Sequence, residues 1–459
     1  MCGIFGVRGH PDAGHIAQLG LYSLQHRGQE SVGVVAVDQH GTAHPVRSMG
    51  TLNDAFAQEL ARFPGGMAVG HTRYSTSGSS TIENAQPVVA RSKGGFLTLA
   101  HNGNIVNAAE LRLALEDQGS IFASTSDSEV LVHRLARSTS PTPAQRLADA
   151  LCDVEGAYSL IVAIGDTLLA ARDPRGWRPL AMGRLGDAVV FASETCALDI
   201  VGATFERDVE PGEIVSVDAS GIHSLHPLPA RELHQCVFEF VYFARPDSRV
   251  FGGSVDRARR ALGRRLAQEH PAPTAELVFS VPDSSNSAAL GFAEASGLPY
   301  ELALIRNHYV GRTFIQPTQA GRDAKVKVKY NAVREVIEGK SVVMVDDSIV
   351  RGTTTRGLVA MIRNAGAREV HMRVSSAPVT GPCYYGIDTP SREELIAANN
   401  TIPEIATHLG VDSLGYISLE GMLESVPSGP HGFCHACFSG DYPTPPPTDP
   451  DKLRFGCGC

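Results

Sequence analysis

Two adjacent carboxylates, Asp346 and Asp347, have the clearest capacity for chemistry in this 459-residue chain. They end the apolar, β-branched run 342–345, which predicts a buried parallel strand. A helical pattern covers 358–365. Between strand and helix lie polar and small residues that could hold a ligand: Ser348, Arg351, Gly352, Thr353 and Thr354. The segment therefore predicts a strand, a polar turn and a helix in succession.

Open α/β sheets bind ligands at the carboxyl ends of their strands, where this turn would lie. Hydroxyls, a glycine and helix N-terminal amides suit a phosphate group. The acidic pair suits sugar hydroxyls or Mg²⁺, because both prefer hard oxygen partners. The whole run indicates a pocket for an activated ribose phosphate, and the simpler alternative is a solvated acidic turn.

Two further segments of the C-terminal half could contact the same ligand. The run 276–290 predicts a second strand, followed by a small, hydroxylated turn at 282–285 that would admit a pyrophosphate and its metal. A helix N-cap at Ser285 is an equally good interpretation of that turn. The basic segment 309–330 is either a solvated face or a lid that closes over the leaving group.

The N-terminal half offers a different chemistry, which begins at Cys2. Removal of the initiator methionine would leave Cys2 with a thiol and a free α-amine. That amine has an ordinary pKa of about 7.7–8.0 and could act as the base for its own thiol. Arg73 and Asp127 could hold the carboxylate and the amine of a free amino acid. Asn102 and the Gly103 amide could donate to an oxyanion.

Four of the nine cysteines form a candidate ligand group: Cys236, Cys383, Cys434 and Cys437. Four thiolates can hold tetrahedral zinc or an iron–sulfur cluster. On spacing alone, zinc, a cluster and plain buried thiols are comparable alternatives.

Other reactive side chains are expected to be structural. We expect Cys152 and Cys196 to lie in the core, and His71 and His101 to be hydrogen-bonded core histidines. The Pro-rich tail 443–459 is expected to be disordered, with free thiols at its end: Cys457 and Cys459.

Composition narrows the class of protein. Hydrophobic residues make up 43% and charged residues 19%, which is typical of a globular chain rather than a disordered one. The net charge of -9 argues against nucleic acid as a partner. No apolar run approaches the roughly 20 residues of a membrane helix, and no signal peptide is recognisable. Nine cysteines in such a chain predict a reducing, cytoplasmic location without membrane contact.

The run VVMVDDSIVRGTT at 342–354 resembles the 5-phosphoribosyl-1-pyrophosphate (PRPP) signature of type I phosphoribosyltransferases. The resemblance implies a doubly wound α/β domain. It implies a PRPP-binding role for 346–348 and 351–354. It also implies Mg²⁺ beside Ser284 and the acidic pair.

Several N-terminal segments together resemble the N-terminal-nucleophile, or class II, glutamine amidotransferases: QHRGQES, GHTRYST, LAHNGNI, TSDSEVL, RDPRGWRPL and ASET. The resemblance covers 2–215 and implies a four-layer α-β-β-α sandwich of the α+β class. It implies Cys2 as the nucleophile and Asn102 with Gly103 as the oxyanion hole. The implied glutamine-binding residues are Arg73, Tyr74 and Asp127.

YVGRTFI at 309–315 resembles the flexible loop of amidophosphoribosyltransferases, which join both domain types, although His308 stands where a more basic residue is expected. The four grouped cysteines match the branch of that family with a structural 4Fe-4S cluster. That branch often has a short propeptide before the nucleophile, whereas Cys2 requires only removal of methionine.

The family resemblance implies a glutaminase domain at 1–230, a transferase domain at 231–442 and the tail. It implies conversion of glutamine, PRPP and water to 5-phosphoribosylamine, glutamate and pyrophosphate, the first committed step of purine (IMP) biosynthesis. It also implies feedback by purine nucleotides and a homotetramer. The alternatives are a PRPP-sensing regulator with a transferase-like domain and another glutamine-dependent amidotransferase.

Overall fold

The computed structural model describes residues 1–56, 65–75, 78–92, 95–307, 328–427, 429 and 431–447. Two sequence predictions fall largely outside these residues. They are the basic lid at 309–330, of which only 328–330 are described, and the tail beyond 447 with both terminal cysteines.

The N-terminal half alternates strands with a few helices. Its strands are β1 (Gly3–Arg8), β2 (Ser31–Val37), β3 (Ala43–Met49), β4 (Met67–Arg73), β5 (Val88–Ser92), β6 (Gly95–Ile105), β7 (Gly156–Ile164), β8 (Thr167–Arg172), β9 (Ala181–Leu185), β10 (Ala188–Ala192), β11 (Thr204–Asp208), β12 (Ile214–Asp218) and β13 (Gly221–Leu225). Its helices are α1 (Ala13–Leu24), α2 (Leu52–Phe56), α3 (Ala108–Glu116), α4 (Ser128–Arg137), α5 (Pro143–Leu151) and α6 (Cys196–Val201), with a 3₁₀ turn at Ile82–Asn84.

These strands form two antiparallel sheets that pack face to face. One has the order β11-β9-β10-β1-β4-β2-β3 and the other β13-β12-β8-β7-β6-β5. Ile4 and Ile161 lie between the sheets, whereas the neighbouring Phe5 packs under α1 and Leu160 packs under α4 and α5. Strand residues are therefore buried on both faces, which confirms the predicted four-layer α-β-β-α sandwich.

The C-terminal half is built around a parallel sheet. Its strands are β14 (Gln235–Cys236), β15 (Arg249–Val250), β16 (Gly253–Ser254), β17 (Leu277–Ser280), β18 (Leu304–Arg306), β19 (Tyr330–Ala332), β20 (Ser341–Asp346), β21 (Glu369–Val374), β22 (Ser413–Tyr416) and β23 (Phe433–Cys434). Its helices are α7 (Val255–Glu269), α8 (Asn286–Ser296), α9 (Arg334–Ile337), α10 (Thr353–Asn364), α11 (Ile396–Asn399), α12 (Ile402–Leu409), α13 (Leu419–Glu424) and α14 (Ala436–Ser439), with a π turn at Glu239–Phe243 and a 3₁₀ turn at Arg392–Glu394.

The parallel strands have the order β17-β20-β21-β22, with helices on both faces. Alternate residues of β20 show this directly. Val343 and Val345 belong to the core under α7 and α8, whereas Val342 and Met344 belong to the core under α10 and α12. A strand covered on both sides carries a continuous apolar run, so the predicted buried strand and doubly wound fold are confirmed.

The two halves share an interface. Cys236 N donates to the carbonyl oxygen of Trp177 at 3.1 Å, and Met1 packs into the core of the C-terminal half. The ends of the C-terminal half are joined as β14 pairs in parallel with β23, which places Cys236 beside Cys434. In the described part of the chain, no helix combines the length and apolarity needed to cross a bilayer.

One core prediction is wrong. Cys196 is buried in the core under α6, but Cys152 is exposed. Cys152 follows the last residue of α5, and the buried face of that helix ends with Leu151. Of the predicted tail, 443–447 are described, and Thr444 is buried against Tyr385.

Candidate active sites

The first candidate site lies where β1 begins and β4 ends, next to residues 102 and 103 of β6 in the other sheet. The backbone nitrogen of Cys2 donates to Asn102 Oδ1 at 3.1 Å, and the Cys2 thiol lies 3.6 Å from the carbonyl oxygen of Tyr74. Cys2 is 8% exposed, so a small substrate group could reach its sulfur. The predicted nucleophile and one predicted oxyanion donor are therefore neighbours.

The Asn102 side chain has one donor that could bind a substrate atom. Its Oδ1 accepts from Cys2, but its Nδ2 is buried and has no hydrogen-bond partner among the described residues. Such a buried donor is costly unless a ligand satisfies it. The adjacent Gly103 has φ +157, and a Cβ there would lie 1.9 Å from the carbonyl oxygen of Ala157. Only glycine fits this backbone.

The predicted glutamine-binding residues surround the same corner. Arg73 is buried at the end of β4, lies 3.7 Å from Glu30 and donates to the carbonyl oxygen of Ser79. Asp127 is buried before α4, where its Oδ2 accepts from the Ile105 amide at 2.9 Å.

Both histidines near this corner are bonded within the protein. His71 contacts the carbonyl oxygen of His101 at 3.1 Å, and burial lowers the pKa of His71 to about 3. His101 Nδ1 lies 2.9 Å from Ser128 Oγ. They are therefore buried, hydrogen-bonded side chains, as predicted.

A buried ion-pair network, which sequence analysis missed, lies behind Cys2. Arg27 Nε donates to the carbonyl oxygen of Cys2 at 2.9 Å, and its two terminal nitrogens bind Glu194 and Glu239. These three charged side chains are fully buried. Glu239 comes from the C-terminal half, 212 positions from Arg27, so no local pattern could have revealed it.

Met1 occupies the space beside this network. Its sulfur contacts Arg178, and its α-amine is buried, which lowers the pKa of that amine to about 5. The Cys2 nitrogen is then an amide. Removal of Met1 would convert that nitrogen, already bonded to Asn102, into a free amine.

The second candidate site lies at the carboxyl end of β20, where Asp346 and Asp347 are both buried. The Ser285 hydroxyl lies 3.2 Å from Asp346 and 3.4 Å from Asp347, and the Ser348 hydroxyl donates to Asp347 at 2.7 Å. Burial raises the pKa of Asp346, and the neighbouring Asp347 raises it further. A cation or sugar hydroxyls would relieve this crowding of carboxylates.

The turn at 282–285 meets the acidic pair, as two parallel strands end together. Ser285 directs its hydroxyl to the carboxylates instead of capping α8. Ser284 also hydrogen-bonds Asp347, and Arg259 donates to the carbonyl oxygen of Ser284. The family resemblance had indicated Ser284 but not Arg259, which lies on α7.

The loop after the acidic pair leads into α10. Gly352 has φ +76, a conformation that favours glycine, and precedes Thr353 and Thr354 in the first helical turn. These threonines are exposed. The Arg351 guanidinium pairs with exposed Glu394 at 3.1 Å, so this predicted ligand residue has a protein partner.

The four grouped cysteines line one small cavity between the two halves, together with Trp177 and Arg178 from the N-terminal half. Burial raises the pKa of Cys236 to about 11 and that of Cys434 to about 12. Burial lowers the pKa of Arg178, but Cys236, Cys383 and Glu239 outweigh that effect and raise it.

Within the described ranges, no group of three or more His, Cys, Asp or Glu side chains is arranged to hold a metal ion. The chemistry of the cavity nevertheless fits a thiolate-bound metal centre. Four sulfur donors share the cavity with a buried guanidinium that would offset negative charge. The Trp177 N–H lies beside Cys434 and has no other described partner.

Comparisons with known proteins agree with this geometry. The family described as "Glutamine amidotransferase domain" matches residues 71–199. The chain is 50% identical to the amidophosphoribosyltransferase of Bacillus subtilis, covering 96% of this chain and 94% of that one. It is 46% identical to the amidophosphoribosyltransferase of Archaeoglobus fulgidus, covering 97% and 99%.

Solved structures agree over nearly the full length. A glutamine PRPP amidotransferase from B. subtilis, complexed with ADP and GMP, has a TM-score of 0.92 at 48% identity and covers 99% of this chain and 100% of that one. A structure described as the allosteric regulatory enzyme of purine biosynthesis has a TM-score of 0.93 at 48% identity, with 99% and 98% covered.

The fold and the two sites together define a glutamine amidotransferase that is also a pentosyltransferase. Both sheet systems and both sites lie on one chain, and the relatives match that chain almost end to end. The chain belongs to the amidophosphoribosyltransferase family.

Proposed function

We propose that this enzyme converts glutamine, PRPP and water to 5-phosphoribosylamine, glutamate and pyrophosphate, the first committed step of purine (IMP) biosynthesis. The observation that carries this proposal is the hydrogen bond from the Cys2 nitrogen to Asn102 Oδ1, beside a buried Asn102 Nδ2 that has no partner among the described residues. This is a nucleophile beside an oxyanion donor, on the same chain as a buried acidic pair at a strand end.

In the glutaminase domain, the Cys2 thiolate attacks the side-chain amide carbon of glutamine. The carbonyl electrons move to oxygen, where Asn102 Nδ2 and the Gly103 N–H stabilise the charge. The freed α-amine of Cys2 first takes the thiol proton and then gives it to the departing ammonia. Water hydrolyses the remaining thioester to glutamate. Arg73, Tyr74 and Asp127 hold the amino acid.

In the transferase domain, ammonia attacks C1 of PRPP as the bond from C1 to pyrophosphate breaks. Asp346 and Asp347 accept hydrogen bonds from the ribose hydroxyls. The loop 348–354 holds the 5-phosphate through its hydroxyls, its glycine and the first amides of α10. Arg351 would exchange Glu394 for phosphate, which is a stronger partner for a guanidinium.

Mg²⁺ would be held by Ser284, Asp346 and Asp347, and when bound it would neutralise charge on the pyrophosphate. The hydroxyl of Ser285 keeps the two carboxylates facing one direction. Burial and the neighbouring Asp347 raise the pKa of Asp346, and a bound cation would favour its ionised form.

We further propose a 4Fe-4S cluster held by Cys236, Cys383, Cys434 and Cys437. The shared cavity and the adjacent Arg178 support it. Anaerobically purified protein should be brown, with broad absorption near 400 nm and about four irons per chain. Colourless, zinc-loaded protein would contradict the cluster and support the zinc alternative.

Regulation and assembly are proposed from the family resemblance, and a related structure supports the proposed regulation. Purine nucleotides are proposed as inhibitors, because the related B. subtilis structure is a complex with ADP and GMP. We propose a cytoplasmic homotetramer, with a glutaminase domain at 1–230 and a transferase domain at 231–442. The predicted boundary lies between β13 and β14.

Glutamate release from glutamine, measured with and without PRPP, tests the joint function. PRPP should stimulate release and be consumed with it, because the two domains serve one reaction. Glutamate release that PRPP leaves unchanged would contradict this function. Binding of PRPP without its consumption would favour the PRPP-sensing regulator instead.

A further inference from the structure

Two contacts from the transferase domain reach the glutaminase site. Neither is made by a residue with a proposed role in the transferase reaction. One is the 384–386 loop, which follows Cys383. The other is Glu239, in the π turn after β14. Both come from the C-terminal half, beyond the last of the glutaminase motifs, which ends at Thr195.

The 384–386 loop packs directly on the backbone of the oxyanion strand. Asn104 Nδ2 donates to the carbonyl oxygen of Tyr384 at 2.8 Å. Gly386 has φ +102, and a Cβ on it would lie 2.9–3.0 Å from the carbonyl carbon, Cα and oxygen of Gly103. The other side of Gly103 is closed by Ala157 on β7. Gly103 is therefore held between two surfaces, one from each domain.

The 384–386 loop is itself firmly anchored. The Arg178 guanidinium donates to the carbonyl oxygen of Tyr385, with Nε at 2.9 Å. The Tyr385 ring stacks on Trp177 with ring centroids 4.5 Å apart, and its hydroxyl donates to the carbonyl oxygen of Thr444. Tyr385 is 1% exposed. Because the loop is fixed in this way, its packing against Gly103 also restricts the position of the Gly103 backbone.

The second contact reaches the nucleophile. Glu239 binds Arg27 through both carboxylate oxygens, at 2.7 and 3.0 Å, and Arg27 Nε donates to the Cys2 carbonyl oxygen at 2.9 Å. Glu194 of the glutaminase domain binds the same guanidinium. A planar guanidinium held on two edges has little freedom, so its remaining donor fixes the Cys2 backbone.

We propose that Glu239 and the 384–386 loop are positioning elements of the glutaminase: Glu239 orients Cys2 through Arg27, and the loop sets the Gly103 backbone. This inference rests on the proposed roles of Cys2, Asn102 and Gly103. Both contacts act at Cys2 and Gly103, the proposed nucleophile and oxyanion donor, rather than at Arg73, the proposed substrate ligand. Their loss should therefore lower kcat and leave the KM for glutamine nearly unchanged.

Two variants test the two contacts. Asn104→Ala removes the hydrogen bond to Tyr384. Glu239→Gln removes the negative charge that pairs with Arg27 and keeps the shape of the side chain. Matched controls keep the same chemistry elsewhere in the glutaminase domain. Asn107→Ala removes an amide that bonds Asp153, and Glu213→Gln alters the buried partner of Arg207.

Glutamine hydrolysis should lose about ten- to a hundredfold in kcat in Asn104→Ala and Glu239→Gln, less than loss of an oxyanion donor itself costs. Ammonia-dependent synthesis should stay at the wild-type rate. Both controls should keep both activities. The second readout is binding of glutamate γ-semialdehyde, whose aldehyde carbon accepts the Cys2 thiolate and whose oxygen then becomes an oxyanion.

Affinity for the semialdehyde should fall in parallel with kcat/KM, while affinity for glutamate, which only occupies the substrate clamp, stays constant. Equal losses of semialdehyde and glutamate affinity would overturn the proposal, because general loosening of the domain would explain them. Wild-type kcat and semialdehyde affinity in both variants would overturn it as well. Failure of the wild-type enzyme to hydrolyse glutamine would instead contradict the proposed function.

Discussion

The two active sites are assembled in opposite ways. The candidate transferase site is largely local, since one strand, one turn and one helix bring together residues 346–354. Among the described residues, the 282–285 turn and Arg259 are its contributions from elsewhere. The glutaminase site combines three strand ends with the start of α4, and its backbone is contacted by the other domain. The geometry of a local site depends mainly on residues that are close in sequence. The geometry of a composite site also depends on packing between segments that are distant in sequence.

Replacing the acidic pair should have the largest effect. Asp346→Asn with Asp347→Asn removes the proposed acceptors for ribose and the proposed cation ligands together. Synthesis from glutamine and from ammonia should both fall by roughly 10³-fold or more. Initial rates with each nitrogen donor measure this, and Asp247→Asn at an exposed position is the control. Retained synthesis from ammonia would show that the acidic pair does not bind the sugar.

Replacing the nucleophile should separate the two sites. Cys2→Ala removes the proposed nucleophilic sulfur, so glutamine-dependent synthesis should fall by roughly 10³-fold or more. Ammonia-dependent synthesis should persist, because the transferase site contains no part of Cys2. Parallel assays with both donors measure the ratio, and the exposed Cys152→Ala should change neither rate. Full use of glutamine by Cys2→Ala would exclude it as the nucleophile.

A smaller substitution tests how tightly the composite site is packed. Gly103→Ala places a methyl group 1.9 Å from the carbonyl oxygen of Ala157, so the oxyanion strand must shift. We expect a loss of about 10²-fold in glutamine hydrolysis, comparable to loss of an oxyanion donor. Gly95→Ala, where a Cβ meets nothing within 4 Å, is a glycine control in the same strand. Equal activity of the two variants would contradict the packing argument.

The smallest effect concerns the stability of the transferase site. Because burial raises the pKa of Asp346, this carboxyl favours folding while it is protonated, and that contribution is lost as the pH rises through the raised value. With a chelator present at pH 7, Asp346→Asn should therefore raise Tm, by about 2–4 °C for each kcal/mol of repulsion removed.

Thermal unfolding at several pH values measures this effect. The Tm difference between Asp346→Asn and the wild type should shrink toward about pH 4, where the unfolded carboxyl is also protonated. A lower Tm for the variant at pH 7 would mean that the ionised pair stabilises the fold.

The contrast between the sites also explains what sequence could predict. The acidic pair, its strand and its loop were all predicted, because hydrophobic pattern and turn chemistry specify a contiguous site. The thiol, the amide and the glycine of the glutaminase site were found as separate motifs. Their mutual geometry depends on strand order, which local patterns do not contain.

Contacts between distant segments escaped prediction. In the sequence, Glu239 is a single acidic residue within an apolar, aromatic stretch. Its ion pair with Arg27 becomes apparent only in the folded structure. The need for glycine at position 386 is likewise apparent only in the structure, where its backbone lies against Gly103. Cys152 was expected in the core because cysteine is usually buried. It lies one residue beyond the end of α5, whose last buried residue is Leu151. Sequence pattern thus indicates which groups are present, and folding decides which of them meet.

The proposed reaction requires that nitrogen released at Cys2 be consumed at the acidic pair. Incubation with glutamine labelled with ¹⁵N in its amide, PRPP and Mg²⁺ tests this transfer. We predict ¹⁵N in the amine of 5-phosphoribosylamine, formed in equal amounts with glutamate and pyrophosphate. Separate hydrolysis of glutamine and PRPP, with no labelled phosphoribosylamine, would contradict it.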